Sequence, residues 1–217
     1  MSSLVFLAVL LPIVFSSNQH VLLGDTDTGI HIKAGEVILQ THTVPKYDPF
    51  SFHSPPLPWT AYEWLSEVIM ALVHRAFGLT GIVIFFAVLI ASTYYLLFRM
   101  LGKANSDIVL CSFFVFLVIV SSSLHWLARP HVFSLALTLV YYHVLSNYQH
   151  RRRNQLWVLP ALMLAWVNLH GGFIVGILLV IVYLGGNWIR LPWMPDGNSI
   201  TSKDKVPALA LTLISCV

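Results

Sequence analysis

The chain has 217 residues, of which 57% are hydrophobic and only 10% charged, with a formal net charge of +3. Its mean hydropathy is +0.78 and its pI near 9.0. Soluble domains hold roughly 45–50% apolar residues, so this composition excludes a soluble globular fold and predicts an all-α, polytopic transmembrane helical bundle. The basic residues fall between apolar stretches and so read as anchors at a membrane surface rather than a nucleic-acid footprint.

Residues 3–17 form a short apolar stretch, read as a first span, with a signal peptide as the alternative. The absence of a basic n-region favours the span. Residues 18–59 are polar and loop-like and open with Asp25, Asp27, His31, Lys33 and Glu36. Prolines 45, 49, 55, 56 and 58 preclude a long helix in the second half of this connection. Residues 60–77 are long enough to span but contain Glu63, Glu67, His74 and Arg75. Each charge at mid-bilayer costs about 2.5–3.5 kcal/mol on insertion scales. The apolar stripe of Leu65, Val68, Ile69, Leu72 and Val73 therefore predicts an amphipathic helix lying along the interface. This makes 18–78 one long external loop carrying juxtamembrane helices.

Further spans are expected at about 79–98, 106–126, 131–149, 156–169 and 172–188. Residues 206–217 read as the start of another span, about 18 Å long at 1.5 Å per residue, which suggests a piece of a longer chain. Cys111 and Cys216 lie inside apolar stretches without metal-ligand spacing and read as packing residues. With the N-terminus inside, Arg99, Lys103, Arg151, Arg152, Arg153, Arg190, Lys203 and Lys205 fall on the cytoplasmic side, eight of the 12 basic residues. That satisfies the positive-inside rule. A topology in which 60–77 spans and the N-terminus is outside satisfies it better, with ten of the 12 basic residues inside. The ionisable groups in that segment argue against it.

In the favoured topology three loops bring polar residues to the outer side. Asp27 and His31, four apart, share a helical face able to hold a divalent cation (Mg or Mn) or a substrate hydroxyl. Asp25 falls near the helix N-cap, and its simplest role is capping. Arg129-Pro130-His131 places an arginine beside a helix start, an arrangement suited to phosphate. The competing reading is an arginine snorkelling to headgroups. Asn168-Leu169-His170-Gly171-Gly172 forms a tight bend in which His170 is a ligand or a satisfied polar group. Glu63 and Glu67 either face the same cavity or simply lie on the wet face of the interfacial helix. His42 and His53 read as loop-surface residues, and Trp59, Tyr62 and Trp64 as an interfacial belt.

The combination of Asp25-x-Asp27-x-x-x-His31-x-x-x-Gly35, Pro45-x-x-Asp48-Pro49-Phe50-Ser51-Phe52 and Pro58-Trp59-x-x-x-Glu63-Trp64-Leu65 resembles bacterial multi-spanning proteins of the GT-C glycosyltransferase superfamily. Ala128-Arg129-Pro130-His131-x-Phe133-Ser134 and Asn168-Leu169-His170-Gly171-Gly172-Phe173 extend the resemblance, which covers most of the chain. The chain differs from that group at Gly29-Ile30, where a tryptophan commonly precedes the histidine.

The resemblance implies an inverting transferase that takes a sugar from a polyprenyl-phosphate donor at the outer face of the cytoplasmic (inner) membrane. Its acceptor would be a glycan or protein. Asp25 and Asp27 match the acidic positions that serve catalysis, while His31, Glu63, Arg129, His131, Asn168 and His170 would bind substrate. The rival class is a non-catalytic membrane component: a transporter subunit or a scaffold for carrier lipid. The apolar mid-span positions argue against transport.

Overall fold

A computed structural model describes residues 2–15, 20–104, 107–151, 154–188 and 205–217. Arg152, Arg153, Arg190 and Lys203, among the expected inner-side anchors, lie outside the described residues, as do the ends of the expected 3–17 and 106–126 spans. The fold is all-α. In chain order it contains α1 (Ser2–Phe15), α2 (His20–Leu23), α3 (Asp27–Thr41), α4 (Trp64–Ala104), α5 (Ile108–Ser122), α6 (His131–Arg151), α7 (Val158–Leu169), α8 (Ile174–Trp188) and α9 (Val206–Cys216). Short 3-10 turns, Ser123–His125 and Gly171–Phe173, extend the end of α5 and the start of α8.

Among the described residues, three stretches are long and apolar enough to cross a membrane: Trp64–Ala104, Ile108–His125 and Gly171–Trp188. On that ground the chain is a membrane protein. Helix α5 leaves Phe113, Phe114, Phe116 and Val118 exposed, and α8 leaves Ile174, Leu178 and Val182 exposed. Such faces suit hydrocarbon rather than water. Helix α6 has 21 residues but carries Ser134, Thr138, His143, Asn147 and Gln149 along its length. Helix α7 has only 12 residues, about 18 Å.

Helix α4 is broken at Gly78, whose φ of 64° and ψ of −162° lie outside helical space. A left-handed φ is open to glycine and strained for other residues, so Gly78 separates the polar first part of α4 from its apolar continuation. Against the first part lies α3. Gly35 makes this possible, since a Cβ at that position would stand 2.0 Å from the Glu67 carbonyl oxygen and 2.8 Å from Ala71 Cβ. His42 ends α3 in the left-handed conformation, its N–H donating to the Ile38 carbonyl at 2.8 Å.

The connection from α3 to α4 is an ordered loop rather than an open tether. Backbone bonds from Asp48 N to Leu57 O and from Trp59 N to Lys46 O, both 2.8 Å, close its base. Asp48 Oδ1 accepts the N–H groups of Phe50 (2.8 Å) and Ser51 (3.3 Å) in an Asx turn, and the Phe50 and Trp59 rings meet edge to face at 5.8 Å. The Asp48-Pro49-Phe50-Ser51 run therefore shapes the loop itself.

One core cluster joins α1, α3, α4 and α6 through Val9, Ile32, Met70, Phe86, Ile90, Val132 and Phe133. A second joins α6 to α9 through Tyr141, Leu145, Leu159, Trp166, Val180 and Leu209. Cys111 and Cys216 are buried thiols within such packing, as the sequence implied.

Candidate active site

The start of α3 is fastened to the segment ahead of α6. Ala128 N donates to Leu22 O at 2.8 Å, and the buried Thr28 hydroxyl donates to Ala128 O at 3.2 Å. This places Arg129 over the α3 N-terminus, where its guanidinium is ion-paired with both Asp25 and Asp27. Asp25 Oδ1 also accepts the Asp27 N–H at 3.1 Å. That amide, helped by Arg129, holds the Asp25 carboxyl below its ordinary value. The N-cap position is Thr26, which makes no side-chain cap bond; Asp25, one residue earlier, bonds the amide of the first residue of α3 instead.

These pairings change the reading of Arg129. An incoming phosphate meets a guanidinium already flanked by two carboxylates, so the simple anion site expected at Arg129-Pro130-His131 is not formed. His131 starts α6, and its Nε2 lies 2.8 Å from the His125 carbonyl. A carbonyl only accepts, so this nitrogen carries the proton. Asn168 serves as a tie between helices: its Oδ1 accepts the Trp64 indole N–H at 2.7 Å, and its amide donates to Leu164 O at 2.7 Å.

The second half of the cluster lies where α3 crosses α4. His31 Nδ1 is 3.3 Å from Glu67 Oε1, and His31 Nε2 is 3.9 Å from Glu63 Oε2. His170, from the bend between α7 and α8, brings its Nε2 to 3.5 Å from Glu63 Oε1. The other ring nitrogen of His170 is fully engaged: it accepts the Gly172 N–H at 2.9 Å and faces the Ser134 hydroxyl at 2.8 Å. Ser134 in turn accepts the Trp166 indole N–H at 2.7 Å. Gly172 is required there, because a Cβ would fall 2.4 Å from Ser134 Oγ.

Burial divides these groups. The Glu67 side chain is 5% exposed, Glu63 13%, His31 17% and His170 27%, whereas Asp27 is 47% exposed. Burial raises the Glu63 carboxyl above its ordinary value, against the opposing pull of His31. Burial likewise lowers His170, helped by His131 and His31. Among the described residues two buried polar atoms have no hydrogen-bond partner, Glu67 Oε2 and Arg129 Nε. A buried orphan of this kind calls for an explanation in ligand binding or chemistry.

A cavity of about 380 Å³ opens onto this cluster, lined by Asp27, His31, Glu63 and Glu67 with Pro58, Trp59 and Tyr62 in its wall. Asp27 and His31 therefore share a cavity, as their four-residue spacing implied, but they hold different partners. Among the described residues no group of three or more His, Cys, Asp or Glu side chains has an arrangement able to hold a metal ion. With Asp27 on Arg129 and His31 on Glu67, the donors of this pair do not fit the expected divalent cation.

Ser134 and Trp166 are the members that sequence reasoning missed, and Glu67 was named for the cavity only as the lesser of two readings. The available signal was the i, i+4 pair Glu63 and Glu67 on a helix otherwise rich in apolar residues. His42 and His53, read as surface residues, belong to exposed parts of the α3–α4 region. No family model, curated protein or solved structure matches the chain.

Proposed function

We propose that the chain transfers a sugar from a polyprenyl-phosphate donor to an acceptor hydroxyl, as a GT-C-like glycosyltransferase at the outer face of the cytoplasmic membrane. One observation carries the reading. Carboxylates and an imidazole from separate segments, Asp27 and His31 with Glu63 and Glu67, converge on one cavity walled by Trp59 and Tyr62, and His170 backs Glu63 from the bend between α7 and α8. Such groups accept hydrogen bonds from sugar hydroxyls and move protons, and the aromatic wall supplies the apolar surface usual in ligand sites. The placement of eight of the 12 basic residues between the apolar stretches on the expected inner side supports the outward orientation.

In the reaction, the acceptor oxygen forms a bond to the anomeric carbon while the bond from that carbon to the donor phosphate breaks. The electron pair leaves with the lipid phosphate, and the acceptor proton passes to a basic group of the protein. A single displacement of this kind inverts the anomeric centre. Asp27, held by Arg129 and open to the cavity, orients a substrate hydroxyl; Asp25 secures the α3 terminus behind it.

The test uses purified protein in liposomes supplied with radiolabelled polyprenyl-phosphate sugars and glycan or peptide acceptors. Wild type should form labelled product. Asp27→Asn should reduce turnover by about 10²-fold or more without altering membrane insertion. Failure of wild type to transfer any of the sugars, or full activity of Asp27→Asn, overturns the corresponding part of the reading.

A further inference from the structure

Glu67 is unusual among the acidic groups of this chain. It is almost fully buried, it gives Oε1 to His31 Nδ1 at 3.3 Å, and its Oε2 is buried with no partner. Nothing about packing requires a carboxylate there, since Met70 and Ala71 on the same stretch of α4 are buried without polar groups. Its one contact determines the state of another side chain. A carboxylate can only accept, so it fixes the His31 proton on Nδ1 and leaves Nε2 bare. This is the arrangement by which a carboxylate orients a histidine base.

The opposite wall has the complementary arrangement. His170 Nδ1 accepts the Gly172 N–H and the Ser134 hydroxyl, so its proton resides on Nε2, which faces Glu63 Oε1 at 3.5 Å. Glu63 Oε2 and His31 Nε2 then face each other across 3.9 Å. That gap is too long for a direct hydrogen bond. It is short enough for a single oxygen to lie about 2.8 Å from both atoms.

We propose that this gap seats the reacting hydroxyl of the acceptor, donating to His31 Nε2, with His31 as the proton-accepting residue, Glu67 its positioning residue and the Glu63 carboxylate beside the imidazolium as it forms. The substrate in this statement rests on the sugar-transfer reading; the geometry of the dyad does not. The hydroxyl proton moves to His31 Nε2 as the oxygen attacks the anomeric carbon, and the carbon–oxygen bond to the lipid phosphate breaks with its electron pair. Arg129 already neutralises part of the charge on Asp25 and Asp27, which leaves the Glu67–His31 pair as the better-placed acceptor.

Nitrogen-15 NMR of histidine-labelled protein in lipid, assigned by the signals lost in His31→Gln, reads the tautomer directly. The expected result at pH 8 is a protonated Nδ1 and a bare Nε2, with the Nδ1 proton resonance moving upfield in Glu67→Gln as a carboxylate acceptor becomes an amide. A proton on Nε2 instead, or a resonance unmoved in Glu67→Gln, overturns the dyad. In the liposome assay, His31→Ala should lose about 10²-fold or more in turnover and recover part of it with added imidazole. Unreduced turnover in His31→Ala overturns the assignment. A bare Nε2 in a wild type that transfers no sugar upholds the dyad and removes sugar transfer as its use.

Discussion

Gly35 and Glu67 meet backbone to backbone: a Cβ on Gly35 would stand 2.0 Å from the Glu67 carbonyl oxygen. The closest approach of α3 to α4 thus occurs one helical turn from His31, which sits on the same face of α3 and pairs with the Glu67 side chain. Close helix approach through a small residue is how helices pack where water supplies little driving force.

Gly35→Ala should therefore displace α3 and destabilise the protein by about 1–3 kcal/mol, the usual range for overpacking. Gly29 lies on the same helix, and a methyl group there would meet no atom within 4 Å. Gly29→Ala should be neutral or gain up to about 1 kcal/mol from helix propensity. Thermal unfolding of both variants in detergent checks the contrast; equal melting temperatures would show that α3 is not seated by this contact.

The bend between α7 and α8 offers a similar pair. A Cβ at Gly172 would come within 2.4 Å of Ser134 Oγ, whereas one at Gly171 would come no nearer than 4.0 Å to the Tyr62 ring. Gly172→Ala should push Ser134 off His170 Nδ1 and lower sugar transfer, while Gly171→Ala should leave it near the wild-type value. Turnover of the two variants, each normalised to folded protein, tests this directly.

Much of the architecture could be read from residue order because it depends on local physics. Apolar length set the candidate spans, and the change from charged to apolar residues marked the place where Gly78 breaks α4. The site was only half legible. Asp27 and His31 were recognisable by their spacing, but Arg129 finds Asp25 and Asp27 across roughly a hundred residues, and no local pattern encodes that pairing. Glu67 stayed between two readings for a physical reason. The cost of burying charge favoured the wet side of an interfacial helix over the cavity, yet Gly35 allows α3 to cover it and His31 supplies its partner. Asp48 shows the reverse case, a residue within a distinctive motif whose visible work is a turn.

The Asp25 carboxyl provides a pH-dependent contribution whose sign follows from its environment. It is held below its ordinary value by the Asp27 amide and by Arg129. A depressed acid stabilises the fold above its unfolded value of 3.8 and loses that contribution as pH falls through the lower folded value. Wild type should accordingly lose stability on acidification below about pH 4 more steeply than Asp25→Asn. Parallel slopes in thermal unfolding between pH 5 and 3, approximate limits set by ordinary carboxylates, would contradict the assignment.

Glu63 should behave in the opposite sense. Burial raises its carboxyl above the ordinary value of 4.5, so the folded state binds this proton more tightly than the unfolded chain does. Its contribution is greatest below the unfolded value and is lost as pH rises through the folded one. Burial makes the charged form of Glu63 costly, and the fold retains it for its position between His31 and His170. Glu63→Gln removes the charge while preserving shape. It should raise the melting temperature at pH 7–8 relative to wild type, with the difference shrinking as pH falls toward about 4.5. The same variant should lose the proposed sugar transfer, because the neutral amide removes the negative charge beside the imidazolium that forms on His31. A gain in stability coupled to a loss of turnover is the signature of a site kept for function. Melting curves across that pH range, paired with turnover at pH 7.5 (an approximate working value near neutrality), decide the matter. A Glu63→Gln protein less stable than wild type at every pH would mean that the carboxylate is held for its ion pairs instead.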